Sequence, residues 1–130
     1  MADRLLQIGE VADRVGLSLR TVRYYEEQGL LTPQTRSAGG FRLYGTDQVD
    51  RLALIKQMKP LGFAVGEMRE LLDARDVLRA PDAGPEAHRA AADQLGDYAT
   101  RAAERCGKLR EQLSQAEGLA GQLRREAGEP

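Results

Sequence analysis

From Pro85 to about Glu126 the chain contains no proline, and a single pattern runs through the stretch. Leu95, Ala99, Ala102, Cys106, Leu109, Leu113, Ala116, Ala120 and Leu123 follow one another at alternating steps of four and three. That spacing lays a narrow apolar seam along an α-helix, the heptad pattern of a coiled coil, sustained over more than four repeats. Pro85 suits the first position of such a helix, where its missing N–H is not needed. A helix of about 40 residues is roughly 60 Å long at about 1.5 Å per residue. It cannot bury its own seam, so the chain must supply a second one or take a partner. No second seam of comparable length exists, which favours a homodimer over an intramolecular hairpin. Glycines at 96, 107, 118 and 121 each weaken the helix and mark where an end would fray.

The rest of the 130 residues allows one domain, or a small domain carrying this helix as an extension. Half of the chain alone lies near the lower size limit for an independent core, which again favours an oligomer. The net charge of −1 conceals an asymmetry: residues 1–60 hold nine Lys/Arg against seven Asp/Glu, and residues 61–130 hold ten against thirteen. Any basic surface is therefore to be sought in the first half. One cysteine excludes an intrachain disulfide framework and a multi-cysteine metal or iron–sulfur site within one chain. The start, Met-Ala-Asp-Arg-Leu-Leu-Gln, has no long apolar core, and no window approaches a membrane span. The expectation is a soluble cytoplasmic protein.

Ile8, Val11, Ala12 and Val15 form one apolar stripe of a short helix that Gly16 closes. Ser18 is a good N-cap for a second helix after a very short turn, and Gly29 a good stop. Two helices joined so tightly read as helix-turn-helix. At about 100° per residue, Leu19 and Val22 face the first helix, while Thr21 points away with Arg20 and Tyr24 on its flank. Tyr25 sits near the edge, and Arg23 falls closer to the buried side, its stem packing while its head reaches out. Two arginines with two tyrosines on such a helix point to an anionic partner deep enough to admit it, first of all duplex DNA. A merely solvated charged face is the plain alternative. Thr32-Pro33 makes a turn, and Gln34 to Tyr44, with Ser37-Ala38-Gly39-Gly40 at its tip, reads as a small β-hairpin or wing. Gly40 would let backbone approach a phosphate, and Arg36 and Arg42 offer charge-assisted bonds. A third helix starts at Thr46-Asp47, with Val49, Leu52, Ala53 and Ile55 as its core face and Lys56 and Lys59 at its far end. Pro60 interrupts it. After Leu61-Gly62-Phe63 a fourth helix runs from Val65 to about Ala74 on Met68, Leu71 and Leu72.

The ordered set Ile8-Gly9-Glu10-Val11-Ala12, Thr21-Val22-Arg23-Tyr24-Tyr25-Glu26, Gly29-Leu30-Leu31, Gly40-Phe41-Arg42-Leu43-Tyr44 and Leu61-Gly62-Phe63 resembles the MerR family of bacterial transcriptional regulators over about residues 7–75. The resemblance implies a mainly α fold: a winged helix-turn-helix head of four short helices and a β-hairpin, followed by one long dimerisation helix paired antiparallel with its mate. It implies that Ser18, Arg20, Thr21, Arg23, Tyr24 and Tyr25 face DNA from the recognition helix, with Arg36, Gly40, Arg42 and Tyr44 in the wing and Lys59 beside a second brace. Two positions depart from the family pattern. Phe41 stands where a tyrosine is common, and Ala64 where Ser or Thr commonly caps the fourth helix, a loss of about 1 kcal/mol that would loosen that corner.

The division expected is a DNA-binding domain at 1–76, a linker at 77–85, the dimerisation helix at 86–126 and a tail at 127–130. The resemblance also implies double-stranded promoter DNA and RNA polymerase as partners, with the DNA bent and untwisted on binding. It places effectors beyond the dimer helix or near its start, where metal-sensing members carry cysteines that this chain lacks. No cofactor is expected, and no ligand is selected. Cys106 holds a core heptad position, where cysteine behaves as a small hydrophobe; an antiparallel mate leaves open a redox contact or a ligand there. The dimer face near Tyr98 is a second conceivable ligand site, and His88 reads as a surface residue. An enzyme is excluded: one histidine, no nucleophile–base pair and no phosphate loop are present. An architectural DNA-bending protein or repressor without effector, and a coiled-coil interaction module, remain as alternatives.

Overall fold

The computed structural model describes residues 4–129; Met1–Asp3 of the expected start and Pro130 of the expected tail lie outside them. Along the described residues the order is β1 (Leu6–Gln7), α1 (Ile8–Val15), α2 (Leu19–Glu27), β2 (Thr35–Arg36), β3 (Arg42–Tyr44), α3 (Thr46–Met58), α4 (Val65–Arg79) and α5 (Pro85–Glu126). A 3₁₀ turn, Lys59–Leu61, joins α3 to α4. The winged helix-turn-helix head and the long final helix are both present.

α1 buries Val11, Ala12 and Val15, and Gly16 ends it at φ 73°, a conformation open to glycine at little cost. The Lys56 ammonium donates to the Val15 carbonyl at 2.8 Å. It thereby satisfies an orphan acceptor and opposes the negative end of the α1 dipole. Two residues on, the Ser18 hydroxyl accepts the Thr21 N–H at 3.0 Å and donates to the Thr21 hydroxyl at 2.8 Å, starting α2. The sheet has one strand more than the hairpin expected. Its order is β1-β3-β2, all antiparallel, with Leu6 opposite Tyr44 and Arg42 opposite Arg36. A two-residue strand carries no period for a sequence to display.

Leu6, Val11, Val22, Tyr25, Leu30, Tyr44, Leu52, Ile55, Phe63 and Leu72 share one core. Two arginines fasten the exit of α2 to the helices behind it. Arg51 Nε donates to the Leu30 carbonyl at 2.6 Å, and the Arg69 guanidinium donates to the Gln28 carbonyl. α4 runs to Arg79, beyond the Ala74 expected, because Ala74 is itself buried and the helix face continues through Val77. Ala64 offers no capping side chain, yet Glu67 Oε1 accepts the Ala64 N–H at 2.9 Å. Half of the capping box survives, so that corner is firmer than the missing hydroxyl implied.

The largest departure concerns α5. Its first half lies against its own head, so that part of the expected seam is covered within the chain. Ala91 and Tyr98 are buried, and Ala102 packs on the same core. Tyr98 stands edge-on to Phe63 with ring centroids 5.7 Å apart, and its hydroxyl donates to Glu70. Arg105 lies 4.1 Å over the Phe63 ring and Arg101 4.9 Å over Tyr98, while Arg101 also reaches Glu67 at 3.0 Å. Tyr98 is thus filled space in the head, not the wall of a ligand site. The expected seam divides accordingly. Leu95, Ala102 and Cys106, which is a free thiol, are half-buried within the one chain, whereas Leu109, Leu113 and Leu123 are 43%, 60% and 53% exposed. Leu119, outside the expected seam, is 56% exposed beside them. His88 is half-buried rather than a plain surface residue, its Nε2 3.0 Å from the Ala80 carbonyl across the short connection between α4 and α5.

Candidate nucleic-acid interface

One face of α2 is left uncovered by the core. Leu19, Arg20, Arg23, Tyr24 and Glu27 line a shallow concavity along it. A second concavity lies between α2 and the wing, lined by Arg23, Arg36, Gly40, Phe41 and Arg42. Arg23 belongs to both, so the outer face of the helix and the wing form one continuous basic surface. Among the described residues neither Arg20 nor Arg23 makes an ion pair; both side chains are exposed to solvent. Arginine left unpaired beside exposed aromatic rings is the composition of a phosphate- and base-contacting surface. Arg23, expected nearer the core, points out because α2 packs through Val22 and Tyr25 alone. Leu19, expected against α1, is 38% exposed for the same reason.

Two residues expected at this surface are elsewhere. Tyr25 is 2% exposed and Tyr44 0%; each ring fills the core, since a bulky apolar body is cheaper to bury than to hydrate. Burial also pushes the Tyr25 phenol above its ordinary value, with the neighbouring Tyr24 adding to the effect. Tyr44 is pushed further in the same direction, by burial first and then by its bond to Glu26. Tyr24, by contrast, remains 45% exposed. Thr21 is half-buried, and its hydroxyl already engages Ser18, so this pair serves the helix start.

Glu26 is the organising residue that sequence reasoning passed over. It accepts from the Tyr44 hydroxyl and pairs with Arg42 at 3.0 Å. Arg42 and Tyr44 are two apart on β3 and so share a face; that alternation was the available signal for a common partner. The carboxylate, largely buried, fixes the wing against α2. Replacing Glu26 with Ala is expected to lower stability by about 1–3 kcal/mol, as a charge-assisted bond to a buried hydroxyl is lost. Urea unfolding with unchanged m-value checks it.

The wing tip is closed by its own bonds. Ser37 N–H donates to the Phe41 carbonyl at 2.8 Å, and Gly40 N–H to the Ser37 carbonyl at 2.9 Å. Phe41 N–H donates to the Ser37 hydroxyl at 3.1 Å, and Arg36 Nη1 to the Gly40 carbonyl at 3.1 Å. The Gly40 amide is therefore engaged inside the turn, and the residue's contribution is its φ of 84°. The Phe41 ring, 63% exposed, lies over Gly39, where an added Cβ would meet it at 3.3 Å. Lys59 is exposed on the 3₁₀ turn, at the far end of α3. Among the described residues no cluster of His, Cys, Asp and Glu side chains is arranged to hold a metal, and no helix is long and apolar enough to cross a membrane.

Comparison with known proteins bears on this geometry. The family model for MerR HTH family regulatory proteins matches residues 6–75, and that described as MerR, DNA binding matches residues 49–125. The chain is 44% identical over 70 residues to the mercuric resistance operon regulatory protein of Bacillus cereus, covering 54% of this chain and 53% of that one. It is 30% identical over 118 residues to the HTH-type transcriptional regulator CueR of Salmonella typhi, covering 91% and 76%. It thus spans about half the length of the first relative and three-quarters of the second. Among solved structures, PbrR691 of Ralstonia metallidurans CH34, in complex with lead(II), superposes with a TM-score of 0.57 at 28% identity, covering 91% and 82%. HiNmlR, a MerR family regulator lacking the sensor domain and bound to promoter DNA, gives 0.72 at 17% identity with 97% of each chain covered, a likeness of fold. With its family match running through the head and on along the final helix, the chain belongs to the MerR family of DNA-binding transcriptional regulators, which are not enzymes.

Proposed function

We propose that this protein is a homodimeric, sequence-specific regulator that binds and distorts double-stranded promoter DNA, where RNA polymerase then engages. The observation that carries this reading is the continuity of the unpaired arginines of α2 with the wing cleft through Arg23. α2 is the element that enters a major groove, and Arg20, Arg23 and Tyr24 are the side chains placed to reach base edges. Arg36, Arg42 and Lys59 serve the phosphates, where charge positions the protein without reading sequence. The exposed leucines of α5 pair two chains, and a two-fold dimer presents two heads at a fixed spacing to a palindromic site.

Footprinting on promoter DNA tests the reading. Sequence-preferring protection is expected to persist at moderate salt; its absence would leave the coiled coil as a protein-interaction module. Two substitutions separate the roles. Arg20→Ala is expected to change the ranking of operator variants, by about 1–3 kcal/mol at the base it reads. Arg42→Ala is expected to weaken all sites alike and to reduce the salt slope by about 1. Wild-type affinity and ranking in both variants would displace the DNA from this surface. In vitro transcription from the footprinted promoter reports the effect on RNA polymerase.

A further inference from the structure

We propose that the depression between the start of α3 and the end of α4 is a binding site for a small oxyanion, the carboxylate or phosphate of a soluble compound, gripped by Arg51, Arg75 and Arg79. The three guanidiniums line one depression together with the Gln48 amide. Arg75 and Arg79 are four apart on α4 and so share a face, and Arg51 meets them from α3. Collecting like charges on a partly desolvated surface is unfavourable unless an anion stands among them.

The protein supplies that anion only in part. Asp76 accepts from Arg51 Nη1 at 3.0 and 3.1 Å, and Asp47 lies on the rim. Asp76 and then Asp50 also favour the charged form of Arg75, without a hydrogen bond or ion pair to it. Among the described residues, Arg75 and Arg79 make no hydrogen bond or ion pair with any of these. Arg75 is half-buried, and burial together with Arg79 and Arg51 disfavours its charged form. Of the acidic groups around the three guanidiniums, Asp47, Asp76 and Asp50, only Asp76 is engaged in an ion pair among the described residues, and it is with Arg51. Forked guanidinium donors match the planar or tetrahedral oxygens of a carboxylate or phosphate. The depression shares no lining residue with α2 or the wing, so it is not an extension of the DNA surface. It is nevertheless joined to the reading head, because Arg51 Nε holds the Leu30 carbonyl just after α2.

Isothermal titration of the full chain with inorganic phosphate, without DNA and at constant ionic strength, tests the site. One saturable event with Kd of about 1 mM or tighter is expected. Arg79→Gln changes an exposed side chain and leaves folding intact; it and Arg75→Gln are expected to weaken binding at least tenfold. Arg110→Gln, on the distal part of α5, is expected to leave the isotherm unchanged. NMR should show the Gln48 side-chain amide among the signals that shift with saturation. A parallel titration with acetate separates a carboxylate preference from a phosphate preference. A non-saturating isotherm, equal affinity in both pocket variants, or shifts centred on α2 and the wing would overturn the proposal. Since no DNA is present, either result stands apart from the promoter-binding reading.

Discussion

Leu113→Glu is expected to convert the dimer to monomer and to lower operator affinity by about a hundredfold or more. Leu113 is 60% exposed in the single chain, so a carboxylate there costs the isolated fold little. In a paired seam the same carboxylate would lose its water and gain no partner, several kcal/mol against association in each chain. Two tethered heads bind their half-sites with a high effective concentration, and splitting them forfeits about 10²–10⁴ in affinity without touching one DNA contact. Sedimentation velocity and operator titration by fluorescence anisotropy measure the two effects. Gln115→Glu, exposed on the same helix but off the heptad positions, serves as the control and is expected to remain dimeric. A monomeric Leu113→Glu that keeps wild-type operator affinity would detach DNA binding from the seam.

The second large effect belongs to Tyr98. Tyr98→Ala is expected to destabilise the chain by about 3–5 kcal/mol, the usual cost of emptying a buried aromatic site. More than volume is lost. Without the ring, the Phe63 edge and the Arg101 stacking contact go, and α5 is left to meet the head core through Ala102 and the Arg105 stack on Phe63. Tyr98→Phe isolates the hydroxyl and should cost about 1 kcal/mol. The pair also predicts an alkaline signature. Burial first, and then the bond to Glu70, push the Tyr98 phenol from 10.0 up to about 12. A group whose pKa is raised on folding holds its proton more tightly in the native state. Its contribution is therefore complete below pH 10 and declines as pH rises from 10 towards 12. Chemical denaturation across that window should show a shallower fall for Tyr98→Phe than for wild type, with Tyr44 and Tyr25 supplying the part that remains.

Much of the head was legible because its signals are local. Ser18 caps α2 and Gly16 closes α1 for reasons confined to one turn of backbone, and the apolar spacing of Val11, Ala12 and Val15 needs no distant partner. The turn at Ser37–Gly40 is local too, with Gly40 supplying the positive φ and the Ser37 hydroxyl accepting the Phe41 N–H. Where the reading failed, the deciding contact came from far along the chain. Tyr25 and Tyr44 looked like surface chemistry because a phenol is half polar; the core that takes their rings is assembled from α1, α3 and β1. Glu26 meets Arg42 and Tyr44 across 16 and 18 positions of sequence. Arg23 points to the wing because of how α2 rolls on α1, and a helical wheel has no datum for that roll.

By itself, the sequence determined that there would be a helix-turn-helix, a wing and a long final helix too apolar along one seam to stand alone. Tertiary structure decided which side of that helix faces what. Heptad spacing marks a stripe for pairing, but the head covers its first part: Leu95 and Ala102 are half-buried beside Tyr98, which meets Phe63 and Glu70. Periodicity records that a face is apolar, whereas the partner of that face is set by long-range packing. The seam from Leu109 onward is consequently the part left uncovered, and it is the part that the proposed dimer would use, while the first half of α5 packs on the head of its own chain.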